Sequence, residues 1–165
     1  MKNIKFFKVP RLVIPVTAAS IWGGVYAAEA TLCQSHEEIY FSCLVGENII
    51  SLCASGNISP KNGYVQYRFG ASDRVELEFP SKPYPPQSRF LISDVSEGGV
   101  KYTHVKFRSG RYDYVIYQGF PSGLYIKNGG RLVSNLICEP GDYQQLSSRA
   151  YRGMRTVLPV DGIDN

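Results

Sequence analysis

The stretch Val100–Gly119 constrains the fold more than any other part of the chain. Its sequence, VKYTHVKFRSGRYDYVIYQG, alternates with a period of two on either side of Ser109-Gly110. Such alternation, built from β-branched and aromatic residues, is typical of half-buried strands. It predicts two strands joined by a tight turn at Ser109-Gly110.

Similar short runs recur along residues 31–151 and predict further strands at Ile39–Val45, Ile49–Ala54, Gly63–Phe69, Arg74–Phe79, Arg89–Val95, Leu124–Lys127 and Arg131–Cys138. Four prolines in Pro80–Gln87 exclude sheet pairing there and predict an extended connection, or alternatively a proline-rich recognition motif. Sequential hairpins predict an all-β fold, an antiparallel meander of eight or nine strands forming a small barrel or sandwich. Tyr143–Tyr151 is compatible with one or two helical turns, and aperiodic residues 152–165 predict a flexible C-terminal tail.

The first 30 residues have the features of a secretory signal peptide. Four basic side chains precede a mostly apolar run, Leu12–Val25, and Ala28-Glu29-Ala30 fits an A-x-A cleavage site. Cleavage after Ala27 fits nearly as well. The apolar run is shorter than the roughly 20 residues that a bilayer span needs. We therefore predict a periplasmic or secreted β domain over residues 31–151, with no membrane span after signal removal.

Removal of the signal peptide lowers the net charge of the chain. Residues 1–30 contain four of the 18 basic and one of the 14 acidic side chains, which leaves a net charge of +1 on the rest. Aromatic and basic residues do interleave around Tyr64–Phe69 and Lys106–Tyr112, a pattern that can bind single-stranded nucleic acid. Because a near-neutral exported chain lacks the field that such binding uses, we predict no nucleic-acid partner.

Four cysteines, an even number in an exported chain, predict two disulfides. If Gly46-Glu47 is a two-residue turn, Cys43 lies opposite Ile50 and Cys53 points to the other face. With a three-residue turn, Cys53 is only diagonal to Cys43. Either geometry disfavours a Cys43–Cys53 bond. The preferred pairing is Cys33–Cys53 with Cys43–Cys138, and the alternative is Cys33–Cys43 with Cys53–Cys138.

No pattern in the chain predicts catalysis or a cofactor. Ser109, His104 and Asp113 are close in sequence, but His104 and Ser109 fall on opposite faces of a regular strand, and G-x-S-x-G is absent. The acidic residues occupy solvated faces and turns rather than paired cleft positions. The absence of C-x-x-C spacing, with His36 and His104 far apart, argues against a zinc site. We predict that the chain is not an enzyme, that His104 is an ordinary strand residue, and that no metal is bound.

Protein binding remains as the functional class. The chain has 12 tyrosines, a residue type that concentrates with arginine at interface hot spots. Exposed tyrosines beside Ser109-Gly110 would form a rigid projecting loop, whereas the alternative is that tyrosines fill and rim the β fold.

The tetrapeptide Ser109-Gly110-Arg111-Tyr112 resembles the Ser-Gly-x-Tyr loop of bacterial periplasmic lysozyme inhibitors, which are small exported β-proteins, often with disulfides. The resemblance implies that this loop enters the lysozyme cleft and contacts its catalytic carboxylates. Ser109 and Tyr112 would supply polar contacts, and Gly110 the tight turn. The chain also resembles uncharacterised exported bacterial proteins with an FSC…SLCAS…GYVQYRFG pattern, here Phe41–Phe69, which implies no function.

The resulting prediction is a periplasmic inhibitor or immunity protein that blocks the cleft of a cell-wall lytic enzyme such as lysozyme. Its protein partner would be a lytic enzyme or a toxin. Its partner-binding residues would be Ser109, Gly110, Arg111 and Tyr112. The alternative is a non-catalytic structural or envelope-assembly β-protein without an inhibitory loop.

Overall fold

The computed structural model describes residues 30–96, 99, 102–140 and 143–164. The predicted signal peptide, apart from Ala30, lies outside these residues, as do Val100 and Lys101 of the predicted hairpin. The longer strands are β1 (Glu37–Val45), β2 (Asn48–Ser55), β3 (Val65–Ala71), β4 (Arg74–Phe79), β5 (Leu91–Asp94), β6 (Thr103–Ser109), β7 (Tyr112–Gln118), β8 (Gly123–Asn128) and β9 (Arg131–Ile137). They are followed by β10 (Tyr143–Gln144), the four-residue helix α1 (Ala150–Gly153) and β11 (Arg155–Thr156).

The strands form two sheets, in the orders β10-β1-β2-β3-β4 and β11-β5-β6-β7-β8-β9. All pairs are antiparallel except β11 with β5, which is parallel. The all-β prediction is confirmed, with nine longer strands in two meanders. The two-residue strands β10 and β11 were not predicted. The proline-rich connection between the meanders contains a 3₁₀ turn at Pro86–Ser88.

The core lies between the two sheets, so the fold is a sandwich. Aromatic rings meet across it: the centroid of Tyr67 in β3 lies 4.9 Å from that of Phe107 in β6, and Phe79 of β4 stacks on Phe107 at 4.6 Å. Phe41 and Leu52 of the first sheet are fully buried in the same cluster. Burying an apolar side chain of this size contributes about 1.5–3 kcal/mol. The inward-facing rows of both meanders therefore supply one shared core.

Both disulfides follow the preferred pairing. The Cα atoms of Cys33 and Cys53 are 5.3 Å apart, and those of Cys43 and Cys138 are 5.5 Å apart. Cys43 lies opposite Ile50 across a two-residue turn, the first of the two turn geometries considered above. Cys43 belongs to β1 and Cys138 follows β9, so this bond joins the first sheet to the end of the second.

A short N-terminal segment covers the outer face of the first sheet. The Ser42 Oγ donates a hydrogen bond to the Ala30 carbonyl at 2.7 Å, and Cys33 is bonded to Cys53 of β2. Arg68 of β3, only 4% exposed, donates to the Leu32 carbonyl and forms a two-point ion pair with Glu37 at 2.5 and 2.9 Å. Burial would raise the pKa of Glu37, but hydrogen bonds from Arg68, the Gln34 N–H and Tyr64 outweigh it and lower that pKa below 4.5.

The C-terminal residues lie along the second sheet, as the N-terminal segment lies along the first. The sequence predicts a flexible tail from residue 152, whereas the structure pairs Arg155–Thr156 with β5 and places the Asp164 carboxylate, 3% exposed, on the outer face of β6. Within the predicted helical segment Tyr143–Tyr151, the structure has a strand pair at Tyr143–Gln144 and helix α1 starting at Ala150.

Each sheet has a long strand at one edge and a two-residue strand at the other. In the described part of the chain, the long edge strands are β4 and β9, and the short ones are β10 and β11. In β9, Leu132, Val133 and Ile137 are 55%, 57% and 53% exposed.

Candidate functional site

The turn between β6 and β7 has two loop residues, Gly110 and Arg111. Ser109 pairs directly with Tyr112, so the loop begins one residue later than the predicted Ser109-Gly110. Gly110 has a φ of +59°, whereas no described non-glycine residue has a positive φ. These signs are those of a type II′ turn, which favours glycine at its first loop position and matches the twist of the flanking strands. The local sequence therefore fixes a tight and regular hairpin.

The side chains of Ser109 and Tyr112 face each other on one side of the hairpin. They continue the rows of Phe107 and Tyr114, whose stacked rings belong to the core, with centroids 4.9 Å apart. Both Ser109 and Tyr112 are half-buried, while Gly110 and Arg111 are exposed. The tetrapeptide therefore extends the inner face of the second sheet past the core, at one end of the sandwich.

Contacts within and below the turn fix its shape. The Arg111 Nη2 donates a hydrogen bond to the Tyr112 hydroxyl at 3.1 Å, and its guanidinium lies 5.2 Å from the centroid of that ring. On the other face, Arg108 donates two hydrogen bonds to the Asp113 carboxylate, at 2.7 and 3.0 Å. Arg108 is largely exposed, so this pair contributes about 0–1 kcal/mol and mainly orients the base of the turn.

A groove of about 340 Å³ lies beside Ser109, lined by the end of β4 and the proline-rich connection, including Pro80 and Tyr84. The sequence places no such neighbour next to the turn, because the path of the connection depends on how the two meanders pack. Ser109 thus faces a recess, and Gly110 and Arg111 form the outermost point of the hairpin.

His104 lies in strand β6, and its side chain has a buried partner that the sequence did not indicate. It is 6% exposed, and its Nδ1 lies 2.8 Å from the Asp164 carboxylate, which also accepts a hydrogen bond from the Lys106 ammonium. Because a carboxylate only accepts, Nδ1 carries the proton. Burial lowers the pKa of His104 and outweighs the effect of Asp164, so the imidazole is neutral at pH 7.

The same contacts set the charge of Asp164. Burial alone would raise its pKa, but hydrogen bonds from Lys106, the Val160 N–H and His104 outweigh this and lower the pKa below 3.8. The cluster is therefore a neutral imidazole with a paired carboxylate and ammonium. Asp164, the partner of His104 and Lys106, belongs to the C-terminal segment. The alternation pattern of β6 does not indicate where that segment lies.

The structure does not bring Ser109, His104 and Asp113 together. Ser109 lies on the inner face of β6, His104 bonds to Asp164 on the outer face, and Asp113 bonds to Arg108. His104 and Asp113 are thus not placed to serve as a base and its orienting group for the Ser109 hydroxyl.

Among the described residues, only Cys33, Glu37 and Cys53 bring together three ligand atoms of the kinds that hold metals, all within 4.8 Å of one another. Both sulfur atoms belong to one disulfide, and Glu37 is paired with Arg68. These atoms already have structural partners, so the group stabilises the N-terminal segment.

Comparison of the chain with protein-family models, with curated proteins and with solved structures finds no match. None of the described helices has the length and apolar character needed to cross a bilayer. The protein is a disulfide-bonded β-sandwich, and a functional assignment has to come from the geometry of its sites.

Proposed function

We propose that the protein is a periplasmic or secreted inhibitor, or an immunity protein, that blocks the cleft of a cell-wall lytic enzyme. The observation that carries the proposal is the Ser109–Tyr112 turn, a two-residue loop at the end of two seven-residue strands. Ser109 and Tyr112 flank it as a facing pair, and Arg111 projects from it.

Such a turn suits a cleft that contains catalytic carboxylates. The hydroxyl groups of Ser109 and Tyr112 can donate hydrogen bonds to carboxylates, and the Arg111 guanidinium can pair with one. Glycosidases that cleave the cell wall use two such carboxylates. Because the hairpin is already ordered by sheet pairing, its insertion costs little conformational entropy.

Charge and covalent structure place limits on the proposed mechanism. The chain after residue 30 has a net charge of +1, so long-range attraction to a basic enzyme is not its source of affinity. Affinity would instead come from contacts at the turn. The two disulfides support a location in an oxidising compartment, since such bonds persist there.

The test is inhibition of a panel of lysozymes and other peptidoglycan-cleaving enzymes by the disulfide-bonded protein. For the enzyme that is inhibited, Ser109→Ala with Tyr112→Ala should weaken binding about 100-fold, the size expected when two hot-spot side chains are removed. Thermal stability should change little, because both side chains lie past the core.

The adjacent β8–β9 turn offers a matched control. Asn128 and Arg131 face each other across it as Ser109 and Tyr112 do across theirs. The double variant Asn128→Ala with Arg131→Ala should inhibit as well as the parent protein. Equal losses in both double variants would contradict a specific role for the Ser109–Tyr112 turn, and failure to inhibit any enzyme in the panel would favour the structural alternative.

A further inference from the structure

A cleft of about 690 Å³ lies beside the C-terminal half of β6. Strand β5 pairs with β6 only from Thr103 to Lys106, so no described strand pairs with Phe107–Ser109 on that side. The C-terminal segment passes over the gap, with β11 paired to β5. The cleft therefore exists because a four-residue strand lies beside a seven-residue one.

The walls of this cleft are largely apolar. They include Phe79, Leu91, Phe107, Val160 and Ile163. Phe79 and Phe107 belong to the aromatic core, whereas Val160 and Ile163 come from the C-terminal segment. The volume falls within the range of about 300–1,000 Å³ that is usual for small-molecule sites.

The charged groups at the cleft are predominantly cationic, namely Arg89, Lys106, Arg108 and Arg155, with Asp113 as the acid. Two of the cations already have carboxylate partners: Lys106 pairs with Asp164, and Arg108 with Asp113. Arg89 and Arg155 are exposed, and neither forms an ion pair within the described part of the chain. An excess of two guanidinium groups thus faces an apolar recess.

Arg89 is also held in position. Its guanidinium lies 5.6 Å from the centroid of the Tyr84 ring, on the proline-rich connection. The backbone of Arg155 is fixed by its parallel pairing opposite Leu91. Guanidinium groups bind carboxylates through two parallel hydrogen bonds, which favours arginine over lysine for this role.

We propose that this cleft binds an amphiphilic carboxylate, with its headgroup at Arg89 and Arg155 and its apolar chain against Phe79 and Phe107. The cleft adjoins the base of the Ser109–Tyr112 turn through Arg108 and Asp113, but its proposed ligand does not depend on inhibition of a lytic enzyme. Two features on the same cleft support it, the uncompensated positive charge and the apolar walls. A simple anion would use only the first of these features.

The test is isothermal titration of the full chain, with both disulfides formed, using octanoate, acetate and octyltrimethylammonium as probes. Octanoate should bind saturably at millimolar concentration or below, with acetate at least about tenfold weaker because it lacks the apolar chain. Octyltrimethylammonium, which has the same chain and the opposite charge, should not bind.

Charge-removing variants locate the site. Arg155→Gln and Arg89→Gln should each weaken octanoate binding about tenfold, and Arg155→Lys should weaken it less than Arg155→Gln. Arg131→Gln, at an exposed position on β9 outside the cleft, is the matched control and should bind octanoate like the parent protein. Because these arginines are exposed, thermal unfolding should confirm that all four variants fold.

Three results would each overturn the proposal. One is the lack of saturable octanoate binding. Another is equal binding of octanoate and the cationic probe, which would indicate a nonspecific apolar surface. The third is an Arg131→Gln effect as large as that of Arg155→Gln, which would place the anion elsewhere on the protein.

Discussion

Asp164 illustrates how a single residue can determine the electrostatics of a sheet face. Its carboxylate accepts hydrogen bonds from Lys106, His104 and the Val160 N–H, and both partner side chains are nearly buried. Without it, the nearly buried Lys106 ammonium would lose the carboxylate with which it pairs. Removing one partner of a buried ion pair lowers the free energy of unfolding by more than the intact pair contributes to it, because a desolvated charge is left without a partner.

We expect Asp164→Asn to lower the free energy of unfolding by about 3 kcal/mol, as measured by urea denaturation at pH 7. Since the pKa of Asp164 is lowered, the parent protein keeps this contribution above pH 3.8 and loses it as the pH falls through the lowered pKa. Glu47→Gln makes the same charge change in the exposed β1–β2 turn and should shift stability by less than about 0.5 kcal/mol. Similar losses in the two variants would show that net charge, rather than the Lys106 contact, matters.

At this scale the sequence predicted the cysteine partners but not the partners of His104. The hairpin register disfavours a Cys43–Cys53 bond for either turn length, and of the two pairings that remain the preferred one is present. The contact between His104 and Asp164 spans 60 residues and depends on where an aperiodic segment lies. Neither hydrophobic period nor turn chemistry carries information about such a placement.

The hairpins are the elements that local sequence predicts best, and the β6–β7 turn shows why. Gly110 occupies a backbone conformation with positive φ, and a Cβ built at this position has no atom within 4 Å. Any effect of a side chain there must therefore come from the backbone conformation rather than from crowding.

We expect Gly110→Ala to lower the free energy of unfolding by about 1 kcal/mol, the usual cost of placing alanine at positive φ. Gly56→Ala is a suitable control, because Gly56 does not have positive φ and its nearest atom would be an ordinary 3.7 Å away. That variant should be neutral or slightly stabilising. Chemical denaturation of the two variants measures the difference, and an equal response would mean that the turn tolerates another conformation.

Other elements departed from simple alternation for identifiable reasons. In β4, Val75, Leu77 and Phe79 alternate with charged residues, yet Val75 is 45% exposed. A register shift between Phe69 and Gly70 leaves Glu76 as an extra residue opposite β3, which turns the start of β4 outward. The strands β10 and β11 have two residues each, too few to produce any period.

At the scale of the whole molecule, the two disulfides have different roles. Cys33–Cys53 closes a separation of 20 residues and attaches the N-terminal segment to β2. Cys43–Cys138 closes a separation of 95 residues and connects the two sheets. In the chain-entropy model, the longer loop restricts the unfolded chain more strongly.

We expect the double variant Cys43→Ser with Cys138→Ser to be about 1.4 kcal/mol less stable than Cys33→Ser with Cys53→Ser, given the two loop lengths. Urea denaturation under non-reducing conditions compares the two variants directly, each with its remaining disulfide intact. The reverse order would show that the attachment of the N-terminal segment to the first sheet contributes more than the restriction of the long loop.

The two long edge strands, β4 and β9, differ in how well they resist aggregation. Strand β4 carries Arg74, Glu76 and Glu78 and is followed by Pro80, and charged side chains and proline discourage the addition of a foreign strand. Strand β9 presents exposed Leu132, Val133 and Ile137 beside backbone groups that have no strand partner in the described part of the chain. Of these two edges, β9 is therefore the one at which we expect self-association by strand addition to begin in a concentrated sample.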